Sequence, residues 1–166
     1  VPDRSSETYK RLAQFIRNTA RRYQTPVFDP HVTLLGGIDG PGQELRQHAR
    51  VLVRKLAPYE IRLVDIGSNA TYFQSLFFQV EQTPMVMHTN VVAQEVFAAG
   101  QEKYVPHLSL AYGDFSSALV ALMRQRIEQE YFGGAMCFTA RGVELWRTEG
   151  TVAAWHRVVA LPFTRA

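Results

Sequence analysis

"FDPHVTLL", residues 28–35, and "YVPHLSLA", residues 104–111, write one pattern twice: Pro, His, an apolar residue, a hydroxyl residue, Leu. His31 and His107 stand 76 positions apart. In an extended segment side chains alternate, so His31 and Thr33 share one face and Val32 and Leu34 the other. His107 and Ser109 likewise share a face, opposite Leu108 and Leu110. Like-faced Cα atoms lie roughly 7 Å apart, which lets an imidazole and a hydroxyl reach the same small anion.

The same offset runs through the rest of the chain. Tyr9, Leu12, Ala13, Ile16, Ala20 and Tyr23 recur at helical spacing, with Ser5 or Ser6 as cap. Thr25-Pro26 ends that pattern, and Val27 to Ile38 reads as extended, closed by Gly36-Gly37 and Gly40-Pro41-Gly42. Leu45, Ala49, Leu52, Val53 and Leu56 mark a second helix. Ile61 to Gly67 and Thr71 to Glu81 read as strands. The second half repeats the order: a helix from Pro84 carrying Met85, His88, Val92 and Val96 and ended by Gly100; an extended segment from Tyr104 to Tyr112; a helix capped by Ser116 or Ser117 and ended by Gly133-Gly134; then strands from Cys137 to Trp146 and Val152 to Phe163. The expected fold is α+β. Residues 1–166 form a single bilobal domain with an internal repeat, roughly 5–81 and 84–163. Its two pseudo-symmetric lobes are each an antiparallel sheet with helices on the outer face, and an active-site cleft lies between the sheets.

Composition narrows the class. With 166 residues, 46% apolar and 20% charged, the chain can bury a core. No apolar run approaches the ~20 residues that span a bilayer, so a soluble, cytoplasmic protein with no membrane partner is expected. The formal charge of +3 suits a small anionic ligand and is too slight to imply duplex nucleic acid. The single Cys137 excludes an intramolecular disulfide and a multi-cysteine zinc site, and reads as a small buried hydrophobe.

Two imidazoles and two hydroxyls around one anion are what opening a cyclic phosphodiester by water requires. A base takes the water's proton, an acid protonates the leaving alkoxide, and His serves either role because its pKa lies near 6.5. Hydroxyl dipoles and a protonated ring stabilise charge on the phosphoryl oxygens. No cofactor or metal enters this scheme. A single His-x-Ser/Thr is ordinarily a strand residue with a satisfied ring; the shared Pro and Leu flanks and the repeated register distinguish this pair. His48, His88 and His156 lack that context and read as surface or helix-packing residues.

The paired motifs resemble the 2H phosphoesterase superfamily, and "FDPHVTLLGGI" with "YVPHLSLAYG" is most similar to its plant and fungal cyclic phosphodiesterase branch. The similarity extends to "TYFQSLFFQVEQTP" and "LWRTEGTVAAWHRV", so it covers nearly the whole chain. It implies an enzyme that opens 2',3'-cyclic nucleotides to 2'-phosphates and ADP-ribose 1'',2''-cyclic phosphate to ADP-ribose 1''-phosphate. By this resemblance His31 and His107 are the acid-base pair, and Thr33 and Ser109 the phosphate-binding hydroxyls. Tyr112 matches a tyrosine placed by the attacking water, a role that needs a bend or bulge before Gly113; a core aromatic is the other reading. The working order takes His107 as base and His31 as acid, with the reverse left open. Phe73 or Tyr72 is either a stacking platform for a base or core packing, and core packing is expected for Trp146 and Trp155. Relatives commonly have an N-terminal strand ending in apolar-Val-Pro. This chain starts at Val1-Pro2, so that strand is expected to be absent or trimmed, and the extra cysteines of the plant members are absent too.

The expected partner is a small-molecule cyclic phosphate, bound by a monomer. Processing of RNA ends, at a 2',3'-cyclic phosphate or a 2'-5' linkage, is the alternative within the superfamily, disfavoured by the modest charge. A non-catalytic module binding nucleotides or RNA ends is the alternative from another class. "GGIDGPGQ" lacks the Lys and Ser/Thr of a P-loop, and no His-Glu-x-x-His or Gly-x-Ser-x-Gly motif occurs.

Overall fold

The computed structural model describes residues 1–100, 103–131 and 136–164, with the backbone alone at 130 and 131. Four antiparallel strands, β1 (Tyr59–Gly67), β2 (Leu76–Val80), β3 (His107–Ala111) and β4 (Met136–Ala140), form one sheet in the order β3-β2-β1-β4. A second sheet pairs β5 (Gly142–Arg147) with β6 (His156–Pro162). Helices α1 (Glu7–Tyr23) and α4 (Ser117–Tyr131) cover the first sheet, where Leu12, Phe15, Met123 and Ile127 meet Ile61, Phe78 and Leu108. Helix α2 (Gly42–Lys55) packs on the second sheet and on α3 (Pro84–Phe97), which also meets β1; Leu52, Leu56, Val92 and Ala93 form a core with Val143 and Phe163 packed against it. The fold is therefore α+β with two lobes, each an antiparallel sheet covered by helices, α3 joining the second through α2. In the larger sheet β3 and β4, from the second half of the chain, flank β2 and β1 from the first.

The helices form where apolar spacing and capping chemistry agree. On α1 the buried stripe is Leu12, Ala13, Phe15, Ile16, Thr19 and Ala20, and the Ser6 hydroxyl accepts from the Tyr9 N–H at 3.1 Å. Leu12 and Ile16 are almost wholly buried, and each such side chain contributes roughly 1.5–3 kcal/mol. On α3 Pro84 occupies the first turn, where its missing N–H costs nothing, and Thr83 caps the Val86 N–H at 3.2 Å. Of the residues marking this helix in the sequence, Met85 and His88 are exposed, the latter as a surface reading of it expected; Val86, Thr89, Asn90, Val92 and Ala93 face inward. No helix among the described residues is long and apolar enough to cross a membrane.

The strands depart from expectation in several places. The run from Cys137 to Trp146 is two strands, not one: β4 pairs with β1, and β5 pairs with β6. The break falls at Arg141-Gly142, where a Cβ on Gly142 would stand 2.3 Å from the Leu161 carbonyl oxygen, so only glycine allows that approach. Cys137 is exposed, not buried, because alternation along β4 turns Met136 inward. Tyr72–Gln74 and Val152–Ala154 are 3-10 turns ahead of β2 and β6, where continuous strands were expected. Trp146 and Trp155 are half-buried and not core residues. Gly133-Gly134, expected to end α4, lies outside the described residues.

Candidate active site

The two His segments meet side by side. Residues 27–38 form no regular strand, yet Val32 makes an antiparallel bridge to Leu108 on the free edge of β3. The bridged residues are themselves 76 positions apart. Leu108 points into the core, and alternation sends His31, Thr33, His107 and Ser109 to the opposite face. Antiparallel register from this bridge sets Thr33 across from His107 and His31 across from Ser109. Directly opposed residues in such a pairing have Cβ atoms about 4.5–5.5 Å apart. The motifs thus cross-pair, hydroxyl to imidazole.

Side chains satisfy the first segment's backbone where ladder bonds are lacking. The Asn90 amide donates to the Leu34 carbonyl at 2.7 Å, and the Tyr104 hydroxyl donates to the Thr33 carbonyl at 3.2 Å. Leu34 and Leu35 pack against the α2–α3 core, while Val32 packs against the larger sheet's core. The segment is pinned between the lobes.

Both rings adopt the same tautomer. His31 Nδ1 donates to the Asp29 carbonyl at 2.7 Å, and His107 Nδ1 donates to the Val105 carbonyl at 2.9 Å. A carbonyl oxygen only accepts, so each Nδ1 carries a proton and each Nε2 is left for proton transfer. His156 makes the same two-residue back-bond to Ala154 at 3.2 Å on an exposed strand end, so the bond alone marks no site. Burial lowers the His31 pKa below 6.5, the Asp29 hydrogen bond opposes that shift, and charge on His107 adds to it. His31 is thereby favoured as the neutral ring.

Thr33 is exposed, and with His107 it lines a cavity of about 710 Å³ that continues past the Gly36–Gly40 loop, Lys103 and Tyr104 toward α2 and α3. Ser109 is buried and its hydroxyl donates to the Phe73 carbonyl at 3.2 Å, so it must turn to donate to a ligand. His48, read as a surface or helix-packing residue, bridges α2 to α3 by its edge contact with Phe97 at 5.5 Å. Among the described residues no cluster of three or more His, Cys, Asp or Glu stands ready to hold a metal ion.

A family model described as "Cyclic phosphodiesterase-like protein" matches residues 1–161. The chain belongs to the cyclic phosphodiesterase-like family, a branch of the 2H phosphoesterases. It is 30% identical over 142 residues to the 2',3'-cyclic-nucleotide 3'-phosphodiesterase of Kluyveromyces lactis, covering 74% of this chain and 66% of that protein. It is 26% identical over 118 residues to the cyclic phosphodiesterase of Arabidopsis thaliana, covering 70% and 64%. The chain thus spans about two thirds of the length of these relatives. Among solved structures, E. coli LigT complexed with 3'-AMP superposes with a TM-score of 0.59 at 9% identity, covering 93% of this chain and 92% of that one. That likeness is one of fold.

In this cyclic phosphodiesterase-like chain Tyr112 sits at the end of β3, where a register shift between Leu76 and Phe77 leaves Leu110 as an extra residue. The shift brings the Tyr112 hydroxyl to Ser109, and burial pushes the phenol up to about 12. The ring is buried, stacked on Phe28 with centroids 3.9 Å apart and edge-on to Phe73 at 5.3 Å. Phe73 and Tyr72 are 51% and 38% exposed, because the 3-10 turn lifts them off the sheet.

Sequence reasoning missed three residues of this site. Phe28 touches both Tyr112 and His31, the latter edge-on at 6.1 Å. Trp155 tilts over Phe73 at 5.7 Å, and its indole Nε1 is buried with no partner among the described residues. Asp29 supplies the carbonyl that holds His31. The places of Phe28 and Asp29, three and two residues before His31, were visible in the sequence, but their contacts were not.

Proposed function

We propose that this chain is a phosphoric diester hydrolase that opens 2',3'-cyclic nucleotides to nucleoside 2'-phosphates, with ADP-ribose 1'',2''-cyclic phosphate as a second substrate opened to the 1''-phosphate. The observation that carries the reading is the pair of imidazoles on one face, each with Nδ1 held by a backbone carbonyl so that Nε2 is the nitrogen for proton transfer. Water attacks phosphorus, one Nε2 takes its proton, the bond from phosphorus to the 3'-oxygen breaks, and the other Nε2–H protonates that oxygen. One water is consumed, and a 2'-phosphate and a 3'-hydroxyl result. Neither proton transfer calls for a metal.

Burial of His31 supports it as the base and His107 as the acid, reversing the working order from the sequence. Two nearby imidazoles disfavour each other's charge, which suits one neutral and one protonated ring. Thr33 and Ser109 would hold the non-bridging oxygens, and Tyr112 would orient water through Ser109. The exposed Phe73 face supports base stacking. The cavity beyond Thr33 falls within the roughly 300–1,000 Å³ of small-molecule sites.

The test is turnover of 2',3'-cyclic AMP and ADP-ribose 1'',2''-cyclic phosphate in excess chelator, with products identified by phosphorus NMR. The expected product from the nucleotide is 2'-AMP. A 3'-phosphate product would overturn the direction of opening, and activity abolished by chelator and restored by zinc would overturn the proton-transfer scheme.

A further inference from the structure

The two candidate catalytic rings are held by different means. His107 lies in β3 with Gln79 paired across from it, so the sheet fixes its backbone. His31 has no such ladder; Val32–Leu108 is the nearest bridge. The group that fixes the His31 ring is the Asp29 carbonyl, 2.7 Å from Nδ1. Pro30 restricts Asp29 to extended backbone, with ψ left a range of roughly 40°; other contacts set where in that range its carbonyl points.

Those contacts form a chain across three elements. The Asp29 carboxylate accepts from the Tyr9 hydroxyl of α1 at 2.8 Å and from the Arg4 guanidinium at 2.9 Å. Arg4 also donates to Glu144 of β5 at 2.9 Å. Glu144 takes further bonds from Arg157 of β6 at 2.9 Å and from the Trp146 indole at 2.8 Å. Burial works to raise the Glu144 carboxyl, yet the bonds from Arg4, Trp146 and Arg157 hold it down at about 2. This end of the chain is a fixed anion. Arg4 and Asp29 are about 40% exposed, and pairs so placed add little to stability. Their value lies in direction, since a displacement of about 1 Å at a reacting group can cost about 100-fold in rate.

We propose that Asp29 is a positioning residue for the His31 imidazole, and that the Tyr9–Asp29–Arg4–Glu144 chain is the brace that aims its carbonyl at Nδ1. This rests on His31 being a proton-transfer group, as proposed above. Unbraced, the Asp29 carbonyl swings, the Nδ1–H tautomer loses its acceptor, and Nε2 presents a proton where a lone pair is needed.

The test uses Tyr9→Phe, Asp29→Ala and Asp29→Asn in the full chain, each with and without His31→Ala. On 2',3'-cyclic AMP, Asp29→Ala should lower kcat about tenfold with KM within about twofold. Asp29→Asn, which keeps an acceptor for Tyr9, should recover part of the loss. In the His31→Ala background neither Tyr9→Phe nor Asp29→Ala should add to the defect, because a brace acts only through the ring it holds. Nitrogen NMR of His31 should show the Nδ1–H tautomer dominant in the parent and depleted in Asp29→Ala. An unchanged tautomer overturns the proposal, as does a defect of equal size with and without His31. A His31→Ala variant at full rate would sink the functional reading, and the tautomer measurement still decides the brace. Where His31→Ala leaves no measurable rate, the tautomer result also decides.

Discussion

Replacing Phe28 tests how the first His segment is tied to the sheet that carries the second. A fully buried Phe→Ala change costs about 3–5 kcal/mol, and Phe28 is only half-buried, so about 2 kcal/mol is expected. Roughly 1 kcal/mol of that belongs to the stack on Tyr112, whose rings are 3.9 Å apart and inclined by 16°. Phe28→Leu keeps most of the apolar contact and forfeits the stack, so it should lose about 1 kcal/mol. For a chain of this size these values correspond to falls in Tm of about 4–8 °C and 2–4 °C. Because Phe28 also meets the His31 ring at 6.1 Å, kcat on a cyclic nucleotide should fall about tenfold in Phe28→Ala and less in Phe28→Leu. Calorimetry and steady-state kinetics on both variants make the comparison. If Phe28→Leu melts and turns over like the parent, the stack carries nothing. If Phe28→Ala loses stability but keeps its kcat, the first segment is not coupled to catalysis through this ring.

Other predictions follow from single features. Since burial lowers the His31 pKa, the acidic limb of kcat/KM against pH should have its midpoint below 6.5: protonation of the base removes activity only once pH falls through that lowered value. A midpoint above 6.5 would contradict His31 as the base. A general acid matters less for a better leaving group, so His107→Ala should lose about 10²–10⁴-fold on 2',3'-cyclic AMP and markedly less on catechol cyclic phosphate. An equal loss on both substrates would count against His107 as the acid. Gly142→Ala would set a Cβ 2.3 Å from the Leu161 carbonyl oxygen; forcing β5 from β6 should cost about 1–3 kcal/mol in urea unfolding, and an unchanged midpoint would contradict the close approach.

The helices were legible in the sequence because their signals are local: apolar stripes at three- and four-residue spacing, Ser5 or Ser6 as a cap, Pro84 in a first turn. The paired motifs were legible because repetition with matching flanks is rare. What the pattern did not reveal depends on contacts distant in sequence. The split between β4 and β5 turns on Gly142 lying against Leu161, and the strand-like alternation from Cys137 to Trp146 runs straight through it. The two His segments read alike, yet one is the edge strand β3 and the other a pinned extended segment with a single bridge. Their neighbours explain the difference: β2 supplies ladder partners to β3, while Asn90 and Tyr104 satisfy the carbonyls of Leu34 and Thr33. Trp155 read as core from its place in an expected final strand, but a 3-10 turn brings it to Phe73 and Tyr112. Cys137 read as buried by residue type, and its place on β4 decided otherwise.

The most direct test of two-histidine catalysis is kcat on 2',3'-cyclic AMP for His31→Ala, His107→Ala and the double variant. Each single change should cost about 10²–10⁴-fold, and the double variant should fall little further, because groups that act as one unit lose their effect together. Either single variant retaining more than about a tenth of the parent kcat would contradict the account.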